Sequence, residues 1–416
     1  MRPLARSAYR AAAGGDTLEF EIRHGPMARN SNGRGGNVTR SERNMVVHEQ
    51  EPYNAEPTRS ALAENVVTPV GVFYGRNHGT MPDMDPDRWR LQVDGMVDRP
   101  MELSLADLKD RFPHREVVAT LQCAGNRRAG LMAVRDIPHQ HPWGPGATST
   151  ARWGGVSLAD VLAHCGLSPD ATDIEFAAPD VAAEAVPPQP YGGSISAAKA
   201  TAAETMLVWE MNGEPLTQAH GGPVRVVVPG HIGARSVKWL QRITAHDRPS
   251  DNFFQATAYR LLPADTDLDR AQVGDGFPLT SVALNSAILR PDDHAVVPGG
   301  PTTVTGYAFA GDDRGIARVD VSVDGGRSWT QAELGEDLGP WAWRFWNATV
   351  DLPPGEVTIT ARAWDTTAAL QPEHAESVWN PKGYVNNAWP SVTVTVRDAV
   401  RAPLQEPVAT SGGRHR

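Results

Sequence analysis

The sequence predicts an α+β protein in two parts, a mixed helix-and-strand unit followed by a β-sandwich. Three observations carry this. Helix and strand signals intermingle from about residue 51 to 262. Apolar side chains alternate with polar ones through about 275–398. Turn formers are frequent throughout, with 39 Gly and 34 Pro in 416 residues, which argues against a helical bundle.

The first unit opens after a polar, weakly patterned lead-in covering residues 1–50. Ser104-Leu105-Ala106-Asp107-Leu108 predicts a capped helix start. Glu116–Leu121 predicts a strand that runs straight into Cys123. Ser157–Cys165 predicts a second capped helix, with Leu158, Val161, Leu162 and Cys165 on one face, which makes Cys165 a small core residue. Val224–Val228 is a nearly continuous apolar run closed by Pro229-Gly230, as expected of a strand buried on both faces.

The second unit alternates cleanly. Ala317, Val319, Val321 and Val323 are expected to face inward, with Arg318, Asp320 and Ser322 outward and a turn at Asp324-Gly325-Gly326. Val357, Ile359, Ala361 and Ala363 form a second series, and Val392, Val394 and Val396 a third. Short strands with regular turn signals indicate a sandwich. The polar segment 399–416 reads as a disordered tail.

Charge and cysteine count narrow the function. The net charge of −10 makes nucleic acid and anionic membrane surfaces poor partners. Yet Arg127 and Arg128 adjoin a cysteine, and Arg225, Arg235 and Lys238 fall together, so a small anion could be held in a locally basic cleft. Two cysteines exclude a disulfide framework and a multi-cysteine zinc site. No apolar run suits a membrane span or a signal peptide, so a cytoplasmic protein is expected, or a periplasmic one if the start site is wrongly assigned.

Cys123 leaves a strand into a polar turn, and two arginines follow, cations of the kind that favour thiolate. A thiolate suits a soft or high-valent transition metal, whose other ligands must then come from outside the chain. The rival chemistry is a nucleophilic cysteine with arginines gripping phosphate, and His220 or His231 as base. The cysteine phosphatase loop needs Arg six positions after Cys, where this chain has Ala129.

The stretch Cys123-Ala-Gly-Asn-Arg-Arg128 resembles the molybdenum-cysteine motif of the sulfite oxidase family. Ordered matches flank it: Phe73–His78, Ser149–Gly155, Tyr191–Ile195, His220–Gly230, Gly233–Trp239, Asp324–Trp329, Trp341–Trp346 and Trp379-Asn380. The resemblance covers about residues 50–398. It implies a molybdopterin-binding domain over 51–262, then an immunoglobulin-like dimerisation domain over 275–398.

The resemblance also implies roles. Cys123 would ligate molybdenum. Tyr74, Gly75, Arg76, Asn77, His78, Asp180, His220, Arg225, Ser236, Val237 and Lys238 would hold the pterin cofactor and its phosphate. Arg76, Arg128, Trp143, Tyr259 and Lys382 would form the substrate pocket for a small oxyanion, with Arg76, Arg128 and Tyr259 also taking part in the chemistry. The implied activity is oxidation of sulfite to sulfate by oxygen-atom transfer, with nitrate or sulfoxide reduction, or a scaffold role, as alternatives. Two departures stand out. Lys382 occupies a position where sulfite oxidases carry Arg, losing the planar fork. No haem segment of the cytochrome b5 type is found, so electrons are expected to pass to a separate acceptor such as a c-type cytochrome, from a homodimer.

Overall fold

The computed structural model describes residues 44–185 and 187–398. The tail and most of the lead-in lie outside the described residues. Residues 45–49, expected within the lead-in, instead form a strand, Met45–Glu49, antiparallel to Asn54–Pro57. Polar side chains anchor this hairpin: His48 bonds Glu56 at 2.8 Å and Asn54 donates to Glu49 at 2.6 Å.

Two sheets build the first unit. One runs Glu214–Pro215, Met206–Met211, Thr148–Ser157, Arg115–Gln122, with Arg225–Val227 also on Met206–Met211. The other runs Met101–Ser104, Arg90–Gly95, Arg242–His246, Asp173–Ala182, Gln189–Ser196. The helix Leu105–Arg111 has the expected capping box: Asp107 N donates to Ser104 Oγ and Ser104 N to the Asp107 carboxylate. The helix Leu158–Cys165 buries its four expected residues, but the Ser157 hydroxyl makes no capping bond; instead Leu158 N donates to Thr205 O. Cys165 is a fully buried free thiol, and Cys123 is free as well.

The second unit is a sandwich. A four-stranded sheet holds Asn285–Arg290, Gly300–Phe309, Arg344–Leu352 and Glu333–Leu334. It faces a five-stranded one containing Ser391–Arg397, Gly355–Asp365 and Ile316–Ser322. Two of the expected series alternate as read. The first does not. A bulge between Ile316 and Arg318 turns Ile316 inward and leaves Ala317 exposed. Asp320 is fully buried rather than outward, and its carboxylate accepts from Arg318 and Arg362. A buried charge is retained where such partners satisfy it.

The two units are fastened at the Cys123 turn. Trp343 N donates to Thr120 Oγ1 at 2.7 Å, and Thr120 N to Trp341 O at 2.9 Å. Tyr307, fully buried, accepts from Asn126 Nδ2 at 3.0 Å and donates to Pro145 O at 2.9 Å. Tyr307→Phe leaves both groups without that partner, so unfolding free energy in a urea titration is expected to fall by about 1–3 kcal/mol. A loss below about 0.5 kcal/mol would show that this bridge carries little.

Candidate active site

Cys123 stands where the strand Arg115–Gln122 ends. Its N–H is bonded to Ala147 O and its carbonyl accepts from Asn126 N, which closes a tight turn. Arg127 takes a left-handed φ of 62° there. The consequence is that the two arginines diverge. Arg127 points to the second unit and donates to Ala388 O at 2.8 Å. Arg128 turns back beneath the thiol side of the loop, 3 % exposed, with Nε on Gly383 O at 3.1 Å and Nη1 on His141 O at 3.0 Å.

The thiol opens onto a cleft. Tyr74, Arg76, Asn77, His78, Asp180, His220, Arg225, Ser236, Lys238 and Tyr259 all line it. Thus residues scattered over almost two hundred positions converge on Cys123. Gly75 and Val237 do not line it: Gly75 pairs with Ala55, and Val237 O accepts from Val226 N. Trp143 does not reach the cleft; it is fully buried, 4.6 Å ring to ring from His48. Lys382 and Arg128 do not line it either: the Lys382 ammonium donates to Thr257 O and Ala258 O, and the Arg128 guanidinium to Gly383 O and His141 O. Arg235, one of the three cations grouped from sequence, is structural: it donates to Leu279 O and Phe254 O.

One end of the cleft is built for an anion. Arg225 is anchored by His220 O at 3.0 Å and Ser236 O at 2.8 Å. Burial lowers its pKa to about 10, so it remains charged at neutral pH. Burial, with Arg225 nearby, draws Lys238 down to about 7. Burial pushes Asp180 up to about 7, and its Oδ1 has no partner. His220, also buried, is lowered to about 4 and is therefore neutral, so its Nε2 donates to Val70 O. Cations held this tightly, with an unpaired carboxyl oxygen beside them, suit a polar group carrying phosphate.

The other end carries the acid–base groups. Tyr259 OH lies 2.7 Å from His78 Nε2. Burial raises the phenol well above its ordinary pKa, while burial and Arg76 lower His78 to about 4. The tyrosine is then the donor and the imidazole the acceptor. Arg76 bonds Asn54 Oδ1 at 3.3 Å and stands 4.0 Å from Glu184. Sequence reading assigned no role to Tyr191, which lines the cleft and stacks on His78 at 5.3 Å, although the Tyr191–Ile195 motif signalled it. Nor did it single out Tyr384, stacked on Tyr259 at 5.5 Å.

Among the described residues no three His, Cys, Asp or Glu gather as a metal site. A metal at Cys123 therefore needs a ligand set carried by an organic group, and a cleft with a cationic far end fits one. Residues 78–254 match the oxidoreductase molybdopterin binding domain, and 278–397 the Mo-co oxidoreductase dimerisation domain. The chain is 42% identical to sulfite oxidase of Gallus gallus over 352 residues, covering 83% of this chain and 76% of that one.

The chain belongs to the sulfite oxidase family.

The sulfite oxidase of Arabidopsis thaliana is 39% identical over 366 residues, covering 83% of this chain and 92% of that one. The sulfane dehydrogenase SoxCD of Paracoccus pantotrophus superposes with a TM-score of 0.71 at 27% identity, over 84% of this chain and 86% of that chain. The protein is a molybdopterin-dependent oxidoreductase with a molybdenum cofactor domain followed by a dimerisation domain. Among the described residues no helix is long and apolar enough to cross a membrane.

The two groups at about 7 set a pH dependence. Lys238 loses positive charge and Asp180 gains negative charge as pH rises through 7, and both changes disfavour an anion. Capture of the anionic pterin cofactor by apoprotein should therefore weaken as pH rises from 6 to 8, by up to about tenfold per titrating group per unit. Pterin fluorescence retained after gel filtration measures it, and retention that is flat or rises with pH would contradict this assignment.

Proposed function

We propose that the protein oxidises sulfite to sulfate, with Cys123 as the protein ligand to molybdenum. One observation carries the reading: the free thiol opens onto a cleft whose inner end is cationic and whose other end sets Arg76 beside a Tyr259–His78 pair. The half-reaction is sulfite plus water giving sulfate, two protons and two electrons. The molybdenum cofactor supplies the two-electron oxygen-atom transfer. The protein's share is to bind, orient and exclude water.

Arg225, Ser236 and Lys238 would hold the phosphate end of the cofactor, and Tyr74, Asn77, His220 and Asp180 would contact its pterin. Arg76 and Arg128 supply the charge that draws the oxyanion toward the thiol. Focusing by a cleft lined with buried cations strengthens that attraction and makes it sensitive to salt. Tyr259 presents an O–H that stays protonated at neutral pH, a donor suited to an oxyanion oxygen. His78, uncharged, accepts from the phenol and so fixes the direction of its O–H. Trp143 acts from below by packing the loop that carries His141, and His141 O holds Arg128. Electrons leave to a separate acceptor, for which a c-type cytochrome is the proposed partner, and the dimerisation domain pairs two copies as a homodimer. The compartment is proposed to be cytoplasmic.

The test is sulfite-dependent reduction of ferricyanide by cofactor-loaded protein, set against nitrate with a reduced viologen donor. Sulfite turnover with little nitrate turnover is expected; the reverse would sink the reading. Cys123→Ser should abolish sulfite turnover, a loss of at least about a thousandfold, with the thermal unfolding profile kept. Ordinary turnover in that variant would refute the ligand assignment.

A further inference from the structure

We infer that Lys382 is a positioning residue: its ammonium closes the end of the wide helical turn Phe254–Ala258 and so sets where the Tyr259 phenol stands, and it holds no anion itself. The inference rests on the preceding reading, in which Tyr259 meets the substrate.

The turn Phe254–Ala258 winds with π-helical geometry and delivers Tyr259 immediately after its last residue. A wide, single turn of this kind has little stability of its own, and its final carbonyls have no partner along the chain. In this protein they are met from outside. Arg235 Nη1 donates to Phe254 O, Gly274 N to Ala256 O and Leu279 N to Tyr259 O. Two more, Thr257 O and Ala258 O, both go to Lys382 Nζ, the latter at 3.0 Å. A cation at the end of a turn also meets the aligned carbonyl dipoles favourably.

Lys382 lies on a rigid loop. Asn380 ties it shut: its Nδ2 donates to Tyr384 O at 2.8 Å, its Oδ1 accepts from Tyr384 N at 3.1 Å, and its carbonyl accepts from Gly383 N at 3.0 Å. From this loop Tyr384 stacks on the Tyr259 ring while Lys382 grips the backbone behind it. Tyr259 is thus held at its backbone, its ring and, through His78, its hydroxyl. The same loop takes Arg128 Nε on Gly383 O and carries Tyr384 under the Arg128 guanidinium at 5.3 Å. With two carbonyls engaged and the side chain outside the cleft lining, the ammonium is committed to the backbone. This explains how Lys can stand in a place where a planar fork is absent: the task is to satisfy two adjacent carbonyls, and a rotatable point donor does that.

The experiment compares cofactor-loaded wild type, Lys382→Met and Lys382→Arg. Steady-state kinetics on sulfite are paired with hydrogen–deuterium exchange of residues 253–262 in substrate-free protein. Lys382→Met keeps the stem and removes the donor. Expected are a kcat lower by about tenfold, a KM within about threefold of wild type, and faster exchange at 253–262. Lys382→Arg, which can reach the same carbonyls, should recover both. In a Tyr259→Phe background the Met substitution should cost less than about twofold more, because the two changes act through one group. A KM raised tenfold with kcat kept, a flattened salt dependence of kcat/KM and unchanged exchange would make Lys382 an anion ligand and overturn the inference. Faster exchange with both kinetic constants at wild-type values overturns it as well. If wild type shows no sulfite turnover, the sulfite reading fails, and exchange alone decides whether the clamp exists. Lys382→Gln, which keeps one donor group, takes the place of the Met variant if that variant does not fold.

Discussion

Every arrangement at the site depends on how the turn Cys123–Arg128 is held. The turn places the thiol and Arg128 together, yet its own hydrogen bonds are few. Its rigidity is borrowed. Tyr307 and Trp343 from the sandwich fasten Asn126 and Thr120, Asn386 Nδ2 donates to Arg127 O, and Val385 N donates to Ala124 O. On the opposite side Glu56, buried, accepts from Gly144 N and Gly146 N and so steadies the segment whose Ala147 O receives Cys123 N. A reacting centre needs its groups held to a fraction of an ångström. A loop can meet that demand only when packed on several sides. The second unit therefore does more than associate: part of the first unit's site is built from its loop 379–388.

Burying so many cations is the second constraint. Arg128, Arg225 and Lys238 all have pKa values depressed by burial. Arg128 and Arg225 are compensated by backbone carbonyls, and Lys238 by the Asn77 side-chain oxygen and Ala219 O, rather than by carboxylates. Carbonyls stabilise a guanidinium without neutralising it, so the net field of the cleft stays positive. An ion pair at each cation would cancel the attraction for phosphate and oxyanion. In this way an acidic chain, net −10 overall, keeps a locally cationic interior.

How much of this could be read from the sequence depends on the physical range of each signal. Short-range signals were legible: the Ser104–Asp107 capping box, the inward series at Val357 to Ala363 and the core thiol at Cys165 all follow from local spacing. Bulges were not. One extra residue near Ile316 reversed the facing of Ala317, and only the partner strand dictates that shift. The ordered motifs brought Tyr74 to Tyr259 into one cleft. Side-chain direction was beyond them. Arg127 and Arg128 are neighbours in sequence, and nothing local says that a left-handed Arg127 sends them opposite ways. Tyr384 is one more case: it earns its place only by touching Tyr259 from another unit.

Lys382 brings these threads together. From its sequence position it reads as a pocket cation, because the resemblance places an arginine there. The fold offers that cation two competing partners, an oxyanion that visits and two carbonyls that are always present. An ammonium leaving Thr257 O and Ala258 O would strand both in a half-buried turn, at a cost of about 1–3 kcal/mol for each left unmet. A visiting anion must exceed that cost before it can recruit the lysine, and Arg76 already lines the thiol's cleft. The permanent acceptors therefore win, and the pocket keeps its charge through Arg76 on its wall, with Arg128 close enough to act on Cys123 and Tyr259, while the lysine fixes the tyrosine.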